Sequence, residues 1–285
     1  MEIKEYRSAI MFLEEHESIL LEREAVSQLI LYDAYQNSDH IACDQCLFGA
    51  VLEEAVVQLI FCNVYPYNLV IYTAKTDHVD KEVQLLADYI IDNEIVINGL
   101  NARNDVCQHF MEHYKKMTDS KFIERMEMDI MEIRSINEMK YTEGISRPAL
   151  PGEIKLITDW MIQYQINTMD TEMDYEDALN KVTNFVRDKK VHLFETEEKG
   201  IVSMAIAARQ LAHGIAISYI YTPEEFRGKG YAAANIYYVS KHYLENGNEF
   251  CSLFTDKNNP VLNRAYEKIG YYFLEKQSEY KIVLS

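Results

Sequence analysis

The chain has 285 residues, 48% of them hydrophobic, with 46 acidic against 28 basic side chains and a formal net charge of -18. Its length suits two domains or one large one, and its apolar share excludes an intrinsically disordered chain. The charge excludes a phosphate-backbone partner, because nucleic-acid binding needs a basic footprint.

The opening residues, MEIKEYRSAIMFLEEHES, scatter charges through their apolar positions and lack the short greasy core and small-residue cleavage site of a secretion signal. The longest greasy stretch, LFGAVLEEAVVQLIFCNV, is interrupted by Glu53 and Glu54 too soon for a membrane span. A cytoplasmic protein without a membrane partner is expected. Helix-period sequence runs through SAIMFLEEHESILLEREAVSQLILYDAY. The β-branched and aromatic runs CLFGAVL, AVVQLIFCNV and NLVIYTA then read as consecutive strands. A helix (DKEVQLLADYIID), a short strand (EIVINGL), a second helix (DVCQHFMEHYKKM) and a strand-like KFIERMEMDIMEI complete the first half. This half holds only Gly49 and Gly99, so it offers no glycine-rich phosphate cradle.

Five cysteines without an export signal point to reduced thiols rather than a disulfide framework. Cys43 and Cys46 form a lone CxxC, read as ordinary thiols with a zinc or redox pair as the alternative. His109 and His113 stand four apart on one helix face, but HFMEH lacks the HExxH order of a zinc protease, and a solvated face is expected. No metal is expected.

Eight of the ten glycines lie beyond residue 143, and SRPALPGE holds two of the five prolines. A domain boundary follows near residues 140–150, giving domains of 1–143 and 144–285. Charge divides too: residues 1–150 carry 27 acidic and 13 basic side chains, residues 151–285 carry 19 and 15. A polyanionic ligand is repelled less by the second half. There, helical LITDWMIQYQ and YEDALNKVTNFVRD precede strand VHLFET and a hairpin of IVSMAIAAR with LAHGIAISYIYT. A loop, a helix to about Leu244, strand FCSLFT, a helix from about Pro260 to Ile269 and two closing strands, YYFLE and EYKIVL, finish the chain. Helices mixed with strands on a central sheet imply an α+β class, and the two halves read as distant versions of one plan.

The loop is the informative stretch. Arg227, Gly228, Lys229, Gly230, Tyr231 and Ala232 follow strand AISYIYT and lead straight into a helix. Two glycines permit positive φ and close approach of a ligand to the main chain, and the first N–H groups of a helix form an anion site. A pyrophosphate is the natural occupant; the alternative is a tight strand-to-helix turn and nothing more.

Arg227-x-x-Gly230-x-Ala232 before a helix, followed by a strand ending in LFTDKNNPVLNRAYEKIGYYF, resembles the GNAT superfamily of CoA-dependent N-acyltransferases. The second signature, Asn259 with Tyr266 seven residues on and then Gly270-Tyr271, stands in the right order and separation. The resemblance covers about residues 150–285. YTPEEFRGKGYA with FTDKNNP is further similar to a bacterial branch carrying an extra amino-terminal half that resembles a GNAT fold without its cofactor loop.

The resemblance implies acetyl-CoA as co-substrate. Backbone groups of Ile220, Tyr221 and Thr222 would bond the pantetheine arm, and N–H groups of Gly228, Lys229, Gly230, Tyr231, Ala232 and Ala233 the pyrophosphate. Arg227 would support the loop or meet phosphate, Asn259 would touch the pantetheine or brace the strand ends, and Tyr266 would protonate the departing thiolate or else pack as a core aromatic. The expected reaction is direct attack of a primary amine, on a small molecule or amino acid, upon the thioester, with ribosomal amino termini as another class of acceptor. The alternative is a non-catalytic acyl-CoA sensor. Glu224, Glu225, Asp256 and His213 are candidates for the base, the two glutamates reading also as solvated turn residues. The first half is expected to bind no CoA and to wall the substrate pocket or form a subunit interface, as in a homodimer.

Overall fold

A computed structural model describes residues 1–38, 46–74, 79–140, 143–169, 172–257 and 259–283. The chain forms two compact units, residues 1–129 with 275–285 and residues 130–274.

The first unit opens with β1 (Glu2–Tyr6), α1 (Ala9–Leu21) and α2 (Glu24–Gln36). Ser8 caps α1, its hydroxyl accepting from Met11 N at 3.4 Å. Strands β2 (Cys46–Glu53), β3 (Val56–Val64) and β4 (Leu69–Thr73) follow, then α3 (Asp80–Asp92), β5 (Gly99–Arg103), α4 (Asn104–Met117) and β6 (Lys121–Ile133), which belongs to this unit up to residue 129. Residues 275–283 of the final strand, β12 (Tyr272–Val283), lie antiparallel to β5, with Ser278 opposite Ala102. The order is β1-β2-β3-β4-β5-β12, antiparallel except for β4 and β5, which run parallel with Leu69 opposite Leu100. Val83, Leu86 and Ile90 of α3 and Val106 and Phe110 of α4 pack on Leu59, Phe61, Ile71 and Leu100. Burying side chains of this size is worth about 1.5–3 kcal/mol each.

Two sequence expectations need correction here. EIVINGL does not form a strand as a whole. Ile95 N–H closes the end of α3 on Ile90 O at 3.0 Å and Glu94 takes φ +51, so extended backbone begins only at Gly99. Cys46 is disulfide-bonded, so the thiol reading of the CxxC fails at that residue; Cys43 lies outside the described residues. Cys62, Cys107 and Cys251 are buried free thiols. His109 Nε2 meets Asp80 at 3.1 Å and His113 Nε2 meets Asp88 at 2.6 Å, pairing α4 to α3.

The second unit holds the end of β6, β7 (Ile145–Pro148), α5 (Ile154–Tyr164), α6 (Tyr175–Arg187), β8 (Val191–Thr196), β9 (Gly200–Gln210), β10 (Gly214–Tyr221), α7 (Tyr231–Glu245), β11 (Phe250–Asp256), α8 (Pro260–Ile269) and the start of β12. Its strands order as β6-β11-β10-β9-β8-β7. Pairing is antiparallel from β7 to β10 and parallel between β10 and β11. Side chains alternate across this sheet. On one face Met204 and Ile206 of β9 meet Ile157 and Met161 of α5 and Val182 and Val186 of α6. On the other, Ala205 and Ala207 of the same strand join Ile236 and Val239 of α7 and Tyr266 and Ile269 of α8. The mixed α+β class expected from the sequence is the class observed. YYFLE and EYKIVL, expected as two strands, form the single β12.

Candidate active site

In the second unit, β10 and β11 are paired only from Gly214–Ile217 against Phe250–Leu253, yet β10 continues to Tyr221 and β11 to Asp256. Beyond Ile217 the β10 edge that would face β11 is released from the ladder. The cause lies partly in a bulge: Ser218 stands opposite Ile206 and Tyr221 opposite Met204, one residue too many on β10. Tyr219 takes the strain at φ +51. The extra residue exchanges the faces of the strand. Ile215 and Ile217 pack toward α7 and α8, whereas Tyr219 and Tyr221 pack toward α5 and α6.

After Thr222 and Pro223 the chain makes one helical turn at Glu224–Phe226, then turns through Gly228 at φ +75 and Gly230 at φ +82 into α7. A Cβ on Gly228 would meet nothing within 4 Å, so the glycine there serves conformation rather than space. Gly230 is the N-cap of α7 and supplies no capping side chain. The first bond within the helix is Ala234 N to Gly230 O at 2.9 Å, which leaves the N–H groups of Tyr231, Ala232 and Ala233 without an intrahelical acceptor. These groups and the helix dipole point one positive pole out of the loop.

The loop's basic side chains brace it. Arg227 Nε donates to Thr222 O at 3.0 Å and its guanidinium stands 5.9 Å over the Tyr221 ring. Lys229 Nζ donates to Glu225 O at 2.8 Å. Ser203 Oγ donates to Tyr221 O at 3.1 Å and accepts from the Thr222 hydroxyl at 3.0 Å. Of the three expected strand residues, Tyr221 and Thr222 thus have carbonyls engaged within the protein, and Ile220 packs on the α7/α8 side.

Tyr266 arrives on α8, 1% exposed, and its hydroxyl has no hydrogen-bond partner among the described residues. Burial pushes the phenol well above its ordinary value, and nearby Tyr164 adds to the shift, so the proton stays on Oη at any working pH. Asn259 is the N-cap of α8, its side chain accepting from Leu262 N at 3.2 Å. The brace at the end of β11 is a residue the sequence reading missed, Asn263, whose Oδ1 bonds the Thr255 hydroxyl and whose Nδ2 donates to Asp256 O at 3.5 Å. Its spacing of four from Asn259, one helical turn, was the available signal.

Among the candidate bases, Glu224 and Glu225 are exposed on the loop's turn, and Asp256 ends β11 on the side of the loop. His213 precedes β10, at the opposite end of that strand from the loop. Eight residues of strand at about 3.3 Å each separate it from the loop. Also missed were the aromatic residues gathered by the bulge: Tyr164 lies 5.3 Å and Phe185 6.3 Å from the Tyr219 ring, and Trp160 5.9 Å from that of Tyr221.

Residues 155–271 match the model of the acetyltransferase (GNAT) family. Among solved structures the chain is similar to an acetyltransferase of the GNAT family from Colwellia psychrerythraea, at 11% identity over 99% of this chain and 100% of that one, with a TM-score of 0.55. It is similar also to GCN5-related N-acetyltransferases from Sphaerobacter thermophilus (14% identity, 99% and 95% covered, TM-score 0.63) and Kribbella flavida (12%, 80% and 87%, 0.54). At these identities the likeness is one of fold. No curated protein matches the sequence. The glycine loop, the released β10 edge and Tyr266 all lie inside the segment, residues 155–271, that matches the acetyltransferase (GNAT) family model.

Proposed function

We propose that the second unit transfers an acetyl group from acetyl-CoA to a primary amine of a small molecule, by direct attack of the amine on the thioester. The observation that carries this reading is a set of three open groups in the matched segment: the uncapped start of α7 behind Gly228 and Gly230, the released edge of β10, and the buried Tyr266 hydroxyl, which has no hydrogen-bond partner among the described residues. Acetyl-CoA fits all three. Main-chain N–H groups from Gly228 to Ala233 suit a diphosphate, the β10 backbone about Ile220, Tyr221 and Thr222 suits the amide-bearing pantetheine as an added strand, and Arg227 holds the loop through Thr222. Asn259 acts by fixing the start of α8 and with it Tyr266.

When bound, the thioester supplies an activated acyl carbon. The chain's own part is to orient it, to stabilise charge with strand amides, an effect worth about 3 kcal/mol per donor, and to keep a proton on Tyr266 Oη for a departing sulfur. An alkyl ammonium of pKa about 10 must be neutral to react.

The first unit, we infer, binds no acyl-CoA. Its parallel pair β4 and β5 also diverges beyond Val70 and Asn101. There, however, Arg103 crosses the gap, with Nη1 on the Thr73 hydroxyl at 3.1 Å and Nε and Nη2 on Asp105 at 2.6 and 2.8 Å.

Calorimetry with acetyl-CoA, followed by thiol release on addition of an amine panel, tests both statements. One site per chain and amine-dependent release of CoA are expected. Two sites would refute the assignment of the first unit, and tight binding without turnover on any amine would identify a sensor instead.

A further inference from the structure

The bulge that opens β10 also aims Tyr219 at a lysine. Lys181 Nζ donates to the Tyr219 hydroxyl at 2.7 Å. Lys181 lies four residues after Asp177 on α6, the spacing of a helical ion pair, in a chain with 46 acidic side chains. Even so, among the described residues no carboxylate pairs with its exposed ammonium; the side chain turns instead to a neutral phenol, with Nζ also 5.1 Å over that ring. Tyr219 in turn lies against Tyr164 at 5.3 Å, on the stretch of β10 that is released from β11. The two rings thus run from the released stretch of β10, beside which the thioester is placed above, to an exposed ammonium that bonds a neutral phenol.

Building on the acetyltransferase reading above, we propose that the acyl acceptor is an amine that also carries a carboxylate on an apolar or aromatic body. Lys181 and the Tyr219 hydroxyl hold the carboxylate, the faces of Tyr164 and Tyr219 hold the body, and the amine lies toward the released edge of β10. The strained φ of Tyr219 is what places its hydroxyl at Lys181 rather than in the α7/α8 core. A neutral acceptor leaves Lys181 as it stands; an anionic one gives it a charge-assisted bond.

The test uses the full chain, acetyl-CoA and two matched pairs of amines: benzylamine with 4-(aminomethyl)benzoate, and phenethylamine with phenylalanine. Thiol release gives kcat/KM for each, and calorimetry gives acetyl-CoA binding. In at least one pair the carboxylate member should be preferred about tenfold. Lys181→Met should bring that ratio to about one, chiefly through KM, while Lys181→Arg keeps most of it. A wild-type preference for the neutral members, an unchanged ratio in Lys181→Met, or acetyl-CoA bound with none of the four amines consumed overturns the proposal while leaving cofactor binding intact. Failure to bind acetyl-CoA at all overturns the parent reading, and this one with it.

Discussion

Tyr266 keeps a hydroxyl buried and without a hydrogen-bond partner among the described residues, a burden of about 1–3 kcal/mol that a side chain present only for packing would be better without. Tyr266→Phe is therefore expected to raise unfolding free energy by about 1 kcal/mol in urea titrations and to lower kcat about a hundredfold, with acetyl-CoA affinity unchanged. A fall in stability with full activity would return Tyr266 to the core. Gly230→Ala acts elsewhere. Forcing an L side chain to φ +82 costs about 1–2 kcal/mol, and the expected result is an acetyl-CoA Kd raised about tenfold with kcat nearly preserved at saturation. The placement of both residues was legible in the sequence because it is set locally: a positive φ wants glycine, and the tyrosine stands at a fixed spacing from Asn259 at the start of α8. Tyr219 and Lys181 were not legible, since nothing in AISYIYT announces that one residue is extra and that odd positions change faces at Ser218.

Helices α3 through α8 follow from apolar period and strands from β-branched runs, and those elements agree with the reading of the sequence to within a few residues. What failed were boundaries set by hydrogen bonds out of sight of the pattern, as when the end of α3 consumes the start of EIVINGL. Strand β7 escaped notice because ISRP is four residues that follow a glycine and end in a proline. At this scale α8 invites a measurement. Its cap rests on one bond from Asn259, and Asn259→Ala should cost about 1 kcal/mol, a fall in Tm of about 2–4 °C. Because the same helix carries Tyr266, kcat should fall with it, and a variant with lowered Tm but unaltered kcat would separate the cap from catalysis.

At the scale of the whole molecule, pH acts through His192, buried between Tyr243 and His242. Burial, helped by His242, lowers its pKa to about 4, against an ordinary 6.5. The folded chain thus refuses a proton that the unfolded chain accepts, so the stability present above pH 6.5 is lost as pH falls from 6.5 to about 4, by up to about 3 kcal/mol. Urea unfolding of His192→Gln beside the parent should show a shallower decline over that window; parallel declines would assign the acid sensitivity to carboxylates. The passage of the last residues, 275–285, into the first unit has a consequence for synthesis. Strand β5 is made early, but its antiparallel neighbour leaves the ribosome roughly 170 residues later, on the order of ten to thirty seconds at ordinary translation rates. Through that interval the nascent chain carries an unsealed strand edge, the kind that pairs with strands of other chains, and premature termination anywhere before Glu275 leaves it unsealed for good.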